Sequence, residues 1–479
     1  MITHEYDVVV LGAGAVGENV ADRAVRGGLT VALIEGELVG GDCSYWACMP
    51  SKALLRPAGA RQAAHGTPGT PPSVLEALDV ESALATRDRF ASHWDDTGQA
   101  EWVANAGIDL IRGRGRLSGR QQVTVATEEE EQVLNARHAV AVATGSDAYV
   151  PDIEGLGSAR PWTSRQATSV KHVPRSLAII GGGVVAVEMA TAYASLGCQV
   201  YVIARSGLLQ AFEPFAGKMV AGALRDLGIG VFLHTGVQRV HRTTQGRVQL
   251  TTTAGQVSAD EVLVATGRAP RTDDIGLETV GLTPGSWLTT DDTLRVQGYD
   301  WLYGVGDVNR RAFLTHQGKY QARAAGDVIA ARAAGRPVEN GPWGRHVATA
   351  DLLAVPQVVF TRPEVACVGF TARAATNAGY RAHVVDYDLG AVAGSSLHAD
   401  GYKGYARMVV DQERQVILGA TLVGQDVGEL IHAATVAVAA EVPLHRLWHA
   451  VPSYPTMSEI WLRLLETNGR TQPQPRELV

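Results

Sequence analysis

The chain has 479 residues, a formal net charge of −7, a hydrophobic fraction of 46% and 53 glycines. These values predict a soluble α/β protein of about two to four domains. The acidic balance argues against nucleic acid or an anionic membrane surface as the principal partner, and no apolar run approaches the roughly 20 residues of a membrane-spanning helix. With four cysteines and no signal peptide in the sequence, a cytoplasmic protein without structural disulfides is expected.

The first part of the chain predicts a strand, a glycine loop and a helix in succession. A buried strand is expected over residues 6–11, and the loop GAGAVG then opens a helix that runs to about Arg26. Gly12 makes the turn, Gly14 lets the backbone approach a pyrophosphate, and Gly17 allows close packing of the helix. The amide groups at the helix N-terminus would bind that anion.

A second strand over residues 30–34 ends at Glu35, where a carboxylate accepts a hydrogen bond from a ribose hydroxyl. Downstream, Cys43 and Cys48 lie in the run GGDCSYWACMPSK, residues 40–52. Residues five apart in a regular helix have Cα atoms about 8.6 Å apart, whereas a disulfide tolerates at most about 7 Å. If the two sulfurs bond, the helix must be distorted there, and strained or exposed disulfides are the more easily reduced ones.

Two other interpretations of this cysteine pair are weaker. A structural disulfide is expected mainly in secreted chains. A zinc site would need further cysteine or histidine ligands at short spacing, and none follow. The pattern therefore favours a redox-active pair, and no metal site is predicted.

Two connecting segments follow. Residues 65–72 are rich in Gly, Pro and Thr and predict an exposed loop. Residues 128–131 (EEEE) lie between two strand patterns and predict a solvated hairpin turn.

The strand, loop and helix pattern recurs in the middle of the chain. Residues 176–180 predict a strand, and Gly181 and Gly183 belong to the loop that follows it. The next strand, residues 199–203, is followed by Arg205 where an NAD site would carry an acid, which favours the 2′-phosphate of NADP over NAD. The alternative is a surface arginine without a ligand. Two dinucleotide sites predict one tightly held FAD and one exchanging nicotinamide nucleotide, with electrons passing from the nicotinamide to the flavin and then to the cysteine pair.

A third domain is expected from about Arg345. It contains strand patterns near residues 357, 382 and 406 and apolar helices over residues 427–440 and 456–465. The first of these helices is apolar on nearly all sides from residue 429, as buried helices are.

Four further runs, together with the two loops, resemble the pyridine nucleotide-disulfide oxidoreductase family, which includes dihydrolipoamide dehydrogenase, glutathione reductase and mercuric reductase. These runs are ATG at 143–145, ATGRAP at 265–270, YGVGD at 303–307 and FTRPEVACVG at 360–369. The resemblance implies an α/β fold with two Rossmann-like dinucleotide-binding domains and a C-terminal α+β dimerisation domain. It assigns residues 1–150 and 275–344 to FAD binding, 151–274 to NAD(P) binding and 345–479 to an obligate homodimer interface.

The resemblance also implies residue roles. Cys43 would be the interchange thiol and Cys48 the thiolate next to the flavin, while Lys52 and Glu188 would pair beside the isoalloxazine, where a cation stabilises developing negative charge. Asp307 would bind the ribityl chain of the flavin. The full implied cofactor set is Gly12, Gly14, Gly17, Glu35, Gly41, Lys52, Gly115, Thr144, Gly145, Asp307 and Thr315 for FAD, and Gly181, Gly183, Arg205 and Gly267 for the nicotinamide nucleotide.

The chain departs from the disulfide-reducing members at residues 452–459 (PSYPTMSE). Those members carry His-x-His-Pro-Thr, whereas Tyr454 holds the base position here, and a phenol with a pKa of about 10 is a poor proton shuttle near neutrality. Glu459 would have oriented the missing histidine. Candidates for a replacement base are His316, His445 and His449.

Mercuric reductases and soluble transhydrogenases also carry tyrosine at this position. However, residues 476–479 (RELV) lack the cysteine pair that delivers mercury, and transhydrogenases usually lack the first cysteine. The sequence therefore predicts a flavin-dependent NAD(P)H:disulfide oxidoreductase acting on a disulfide-type small molecule. A mercuric, electrophile or quinone reductase, a transhydrogenase-like activity, and a redox-sensing flavoprotein without useful turnover are the alternatives.

Overall fold

The computed structural model of the chain describes residues 2–67, 69–70 and 77–469. The strands, in chain order, are β1 (Ile2–Leu11), β2 (Val31–Glu35), β3 (Asp109–Arg112), β4 (Arg114–Gly119), β5 (Gln122–Ala126), β6 (Glu131–Val142), β7 (Ser146–Ala148), β8 (Ser176–Ile180), β9 (Gln199–Ile203), β10 (Gly230–Phe232), β11 (Val237–Arg242), β12 (Val248–Thr252), β13 (Gly255–Ala259), β14 (Glu261–Val264), β15 (Arg268–Pro270), β16 (Leu302–Gly304), β17 (Pro356–Val359), β18 (Glu364–Gly369), β19 (Ala382–Asp388), β20 (Tyr405–Asp411) and β21 (Val416–Gly424).

The α-helices, in chain order, are α1 (Ala15–Arg26), α2 (Gly41–Tyr45), α3 (Cys48–His65), α4 (Val80–Phe90), α5 (Thr97–Asn105), α6 (Ser164–Ser169), α7 (Val184–Ser195), α8 (Pro214–Asp226), α9 (Thr315–Ala333), α10 (Ala350–Leu353), α11 (Ala372–Asn377), α12 (Ala393–His398), α13 (Ile431–Ala439), α14 (Leu444–Leu447) and α15 (Glu459–Asn468). The loop predicted over residues 65–72 falls partly outside the described residues, and its first residue, His65, ends α3.

The first sheet is built around β1 and has strand order β3-β2-β1-β6-β5-β4, with β16 also paired to β6. Successive strand residues point to opposite faces, so Val8 and Val10 pack with α1 and α9, while Val9 and Leu11 pack against β4 and β5. This explains why β1 is a continuous apolar run, since both of its faces are buried. The hairpin predicted at residues 128–131 is confirmed, because β5 and β6 pair antiparallel across that turn.

The second sheet is parallel and has the order β10-β9-β8-β14. Its strands are inserted in the sequence of the first sheet, because β16, which follows them in the chain, pairs with β6 of the first sheet. The predicted strands at residues 176–180 and 199–203 match β8 and β9. Helix α7 is buried from Ala186 to Tyr193, as its apolar sequence requires. An antiparallel meander, β11-β12-β13, completes this unit, and the small β7-β15 pair connects it to the first sheet.

The third sheet is antiparallel, with order β17-β18-β21-β20-β19, and packs against α13 and α15. Two helix predictions need correction. Residues 427–430 form a 3₁₀ turn before α13, and the helix predicted from residue 456 begins at Glu459 and runs to Asn468. The reason is that residues 456–460 make turn hydrogen bonds across three residues, from Glu459 N to Thr456 O (3.2 Å) and from Ile460 N to Met457 O (3.2 Å).

Helix α13 is not buried on all sides within one protomer. Ile431, Ala434, Ala437 and Val438 face the core, whereas Val436 is 53% exposed. Its apolar outer face is free to contact another subunit. In the part of the chain that the structure describes, no helix is both long and apolar enough to cross a membrane.

Candidate active site

The two cysteines lie on different helices. Helix α2 ends at Tyr45 and α3 begins at Cys48. The intervening Trp46 (φ −138°, ψ 0°) and Ala47 (φ −131°, ψ −95°) have backbone angles that are neither helical nor extended. The structure thus contains the helix interruption that a Cys43–Cys48 disulfide requires. Both thiols are free, and their side chains are hydrogen-bonded to each other.

The two thiols differ strongly in their acidity. The hydrogen bond from Cys43, supported by Thr315 and by the positive charge of Lys52, lowers the pKa of Cys48 to about 6. The same hydrogen bond, together with burial, raises the pKa of the Cys43 thiol. The Cys48 sulfur lies 3.2 Å from the Thr315 hydroxyl at the start of α9. At neutral pH, Cys48 is therefore the thiolate and Cys43 the proton donor, which is the asymmetry expected of a reactive pair.

An ion pair stands one turn beyond Cys48 on α3. The Lys52 ammonium donates to Glu188 Oε2 on α7 at 2.8 Å, and the Glu188 side chain is 4% exposed. The other oxygen, Oε1, accepts from the backbone N–H of Phe360 at 3.0 Å, and the Lys52 ammonium lies 5.0 Å from the Phe360 ring centroid. The structure brings together Lys52 and Glu188, as the resemblance implied.

A cavity of about 530 Å³ adjoins Cys43 and has the lining expected of an extended dinucleotide. The residues of the implied FAD set that line it are Gly12, Gly14, Glu35, Gly41, Gly115, Thr144, Gly145, Asp307 and Thr315. Gly17 lies beneath it on α1, where a Cβ would collide with Gly12, and Lys52 lines a different cavity.

Glycine is required at two points of this cavity. Gly12 has φ +98°, and a Cβ there would lie 2.7 Å from the Ala143 carbonyl oxygen. Gly41 has φ +61°, and its Cβ would lie 2.9 Å from Gly14 Cα. An L side chain at either position would be strained and would occupy space in this cavity. Glycine at both positions therefore fits a bound flavin dinucleotide.

Two of the carboxylates that line the cavity, Glu35 and Asp307, belong to the implied FAD set. Glu35 accepts from the backbone N–H groups of Ala13 and Glu37, each at 2.8 Å, and burial raises the pKa of Glu35. Asp307 accepts from the Ser146 hydroxyl at 2.5 Å, and burial likewise raises its pKa. Both are suited to accept hydrogen bonds from ligand hydroxyls.

The second glycine loop lies between β8 and α7. Gly181 has φ +136° where its backbone passes Ala265, and Gly183 is the N-cap of α7. Arg205 follows β9, is exposed, and makes no ion pair with any described residue. Gly267, with φ +150°, accepts from the backbone N–H of Tyr149 at 2.9 Å.

The C-terminal site residues lie apart from this cluster in one protomer. Tyr454 is 77% exposed, whereas Glu459 is 4% exposed and its Oε1 has no hydrogen-bond partner in the part of the chain that the structure describes. The nearest cation to Glu459 is Arg463, with an N–O distance of 3.8 Å. Of the three candidate histidines, His445 and His449 are exposed, and His316 Nε2 lies 2.8 Å from the Pro356 carbonyl oxygen.

Sequence reasoning missed two features of this region. The first is Arg165 on α6, which contacts Asp42 and Trp46 within the cysteine segment. The second is Glu18 on α1, whose buried Oε1 has no hydrogen-bond partner among the described residues and whose pKa burial raises to about 7. No motif marks either residue, although Asp42 directly precedes Cys43. Among the described residues, no group of three or more His, Cys, Asp or Glu side chains could hold a metal ion.

Comparisons with known proteins agree with this geometry. Residues 6–327 match the pyridine nucleotide-disulphide oxidoreductase family model, and residues 355–464 match its dimerisation domain. The chain is 31% identical to a mercuric reductase of Shigella flexneri over 94% of this chain and 79% of the relative. It is also 31% identical to a dihydrolipoyl dehydrogenase of Haloferax volcanii over 96% of this chain and 95% of the relative.

A solved structure of similar fold is the Cu(II) complex of the HOCl-induced flavoprotein disulfide reductase RclA from Escherichia coli. It aligns with a TM-score of 0.82 and 24% identity, over 97% of this chain and 99% of that one. The dimerisation-domain match supports a homodimer, and FAD is the cofactor expected for these relatives. With both family models matched, the chain belongs to the pyridine nucleotide-disulphide oxidoreductases and is a flavin-dependent enzyme of the oxidoreductase class.

Proposed function

We propose that this enzyme transfers electrons from NADPH through FAD to the Cys43–Cys48 pair and on to a disulfide-type small molecule. The observation that carries the proposal is the placement of two free thiols on either side of a helix interruption, with Cys43 in the lining of the flavin cavity and Cys48 hydrogen-bonded to Thr315; the lowered pKa of Cys48 supports it. FAD, when bound, supplies the two-electron link between the nicotinamide and the cysteine pair.

The chain's own residues account for the exchange with substrate. Cys48 accepts the Cys43 proton, and the Cys43 thiolate attacks one sulfur of the substrate disulfide, which releases the first substrate thiolate. Cys48 then returns that proton to solvent or to the leaving thiolate and attacks the Cys43 sulfur. This step forms the Cys43–Cys48 disulfide and releases the second thiolate. One substrate disulfide and one proton from solvent give two thiols, while the enzyme, which starts as the Cys43 thiol and the Cys48 thiolate, gives up two electrons and one proton.

The domain roles follow the same proposal. Residues 1–150 and 275–344 bind FAD, residues 151–274 bind the nicotinamide nucleotide, and residues 345–479 form the subunit interface. The exposed Tyr454 would then meet the dithiol of the other subunit, and the apolar outer face of α13 would be covered there.

The preference for NADPH is assigned to Arg205, because its guanidinium is exposed, has no ion pair among the described residues and follows β9, where the nucleotide ribose binds in this fold. We expect Arg205→Glu to raise the KM for NADPH much more than the KM for NADH. Arg225→Glu, at an exposed arginine of α8, is the matched control. An unchanged ratio of the two KM values in Arg205→Glu would refute the assignment.

A second candidate is reduction of mercuric ion, another electrophile or a quinone. It is favoured by the mercuric reductase relatives and by Tyr454 at the position of the missing histidine. The deciding experiment is an anaerobic titration with NADPH followed by steady-state assays with disulfides, mercury salts and quinones. Cys43→Ser should abolish turnover with disulfides and mercury and leave direct quinone reduction. If disulfides are not reduced by the wild-type enzyme, the first proposal fails.

A further inference from the structure

The segment that contains the two cysteines is bound by one arginine of another helix. Arg165 on α6 donates to both oxygens of Glu37 at 2.8 and 2.9 Å and to Asp42 Oδ1 at 2.7 Å. Its guanidinium carbon lies 4.1 Å from the centroid of the Trp46 ring. The planar guanidinium of Arg165 thus contacts the loop after β2, Asp42 directly before Cys43, and Trp46, one of the four residues between the cysteines.

The backbone at Trp46 is held as well. The Thr168 hydroxyl, one turn along α6 from Arg165, donates to the Trp46 carbonyl oxygen at 2.8 Å. Tyr45, which is fully buried, donates through its hydroxyl to the Val39 carbonyl oxygen at 3.0 Å. Trp46 is therefore fixed at its ring and at its carbonyl, at the point where α2 ends.

Arg165 shares its Asp42 partner with a second arginine. Asp42 is also 3.3 Å from Arg271, and Arg271 pairs with Asp147 at 2.6 Å. Trp46 gives the guanidinium a flat apolar face on which to stack, and the carboxylates bind its edge. Arg165, Asp42 and Arg271 also line the flavin cavity, and the cluster contacts the peptide that sets the distance between the two sulfurs.

We propose that Arg165 is a positioning residue of the redox pair: by clamping Trp46 and Asp42 it holds the helix interruption in the geometry that keeps Cys43 next to Cys48. The inference rests on the proposed function, since it requires that these two thiols form a disulfide. Its physical consequence is a high effective concentration of one sulfur at the other, which favours the disulfide over the open dithiol.

The equilibrium to be measured is balanced as follows. The enzyme dithiol and one molecule of oxidised glutathione give the enzyme disulfide and two molecules of reduced glutathione. Holoenzyme is equilibrated anaerobically in buffers of fixed glutathione ratio, alkylated, and analysed for the oxidised fraction of the peptide that contains both cysteines. The test variants are Arg165→Met, which removes the clamp, and the pair Trp46→Leu and Trp46→Phe, of which only the second keeps an aromatic face.

The matched control is Arg407→Met. Arg407 also binds two carboxylates, Asp386 at 2.8 Å and Glu213 at 2.9 Å, and lies 5.3 Å from the Phe215 ring, but it is located on β20 in the third sheet. A loss of general stability should affect Arg407→Met and Arg165→Met alike. Only the latter should change the thiol–disulfide equilibrium.

We expect Arg165→Met and Trp46→Leu to lower the oxidation equilibrium constant about tenfold, which corresponds to about 30 mV for a two-electron couple. Trp46→Phe and Arg407→Met should remain at the wild-type value. If Arg165→Met does not fold, the difference between Trp46→Leu and Trp46→Phe decides. A wild-type equilibrium constant in Arg165→Met, or equal values in the two Trp46 variants, overturns the inference. If the wild-type pair forms no disulfide in any buffer, the proposed function itself fails.

Discussion

The acidity of Cys48 can be tested in two variants that differ by one hydrogen bond. The largest cause of its low pKa, about 6, is the hydrogen bond from Cys43. Cys43→Ala removes this donor, whereas Cys43→Ser keeps an O–H group at the same place. A hydrogen bond to a charged group contributes about 1.5–3 kcal/mol, and 1.36 kcal/mol is about one pKa unit. The pKa of Cys48 should therefore rise by about 1–2 units in Cys43→Ala and much less in Cys43→Ser.

Neither variant can form the disulfide, so turnover does not complicate the comparison. The assay is the pH dependence of the ultraviolet absorbance of the thiolate, with Cys43→Ala/Cys48→Ala as the blank. Rates of alkylation of Cys48 against pH provide an independent titration. Equal pKa values in Cys43→Ala and Cys43→Ser would refute the reasoning, because the hydrogen bond would then not be what holds the proton off Cys48.

Three more outcomes are expected. Thr315→Val, which removes the second hydrogen bond to Cys48, should raise the pKa of Cys48 by less than Cys43→Ala does in the same titration. Burial raises the pKa of Glu18 from its ordinary 4.5 to about 7, so the wild-type protein loses stability as the pH rises through 7. Glu18→Gln does not have this loss, and its free energy of unfolding in urea titrations should gain up to about 3 kcal/mol over the wild type between pH 5 and pH 8. A difference that does not change with pH would contradict this. Gly12→Ala, whose Cβ would lie 2.7 Å from the Ala143 carbonyl oxygen, should yield protein with little bound flavin. The control Gly59→Ala, whose Cβ would meet open space on α3, should keep its flavin and gain about 0.5–1 kcal/mol of stability. Equal flavin content in the two variants would contradict the assigned role of Gly12.

Local patterns in the sequence were sufficient for much of the fold. The strands β8 and β9 have the predicted bounds because each is a short, mostly apolar run that begins at a polar residue, Ser176 or Gln199. The interruption between α2 and α3 also followed from sequence, since the spacing of Cys43 and Cys48 is incompatible with a disulfide in a continuous helix.

Other features depend on contacts between distant parts of the chain. The Arg165–Trp46 stack joins residues that no local pattern connects, and a surface arginine and an ordinary tryptophan have no periodicity that would mark them. Glu18 looks like a first-turn acid on an amphipathic helix, and only the folded chain shows that its carboxyl is buried. Helix α15 begins later than predicted because apolar periodicity continues into residues whose backbone forms turns instead.

The gap of two residues between α2 and α3 places the sulfurs of Cys43 and Cys48 on two separate helices. Because Arg165 and Thr168 hold Trp46 and Tyr45 is anchored to Val39, making or breaking the S–S bond needs only small rotations at Ala47 and in the cysteine side chains. Because this movement is confined to Ala47 and the two cysteine side chains, β1 and the turn at Gly12 should keep the same position in both redox states. Hydrogen exchange at the β1 amides should accordingly be the same in the oxidised and the reduced enzyme. The flavin cavity then keeps the same shape in both halves of the catalytic cycle.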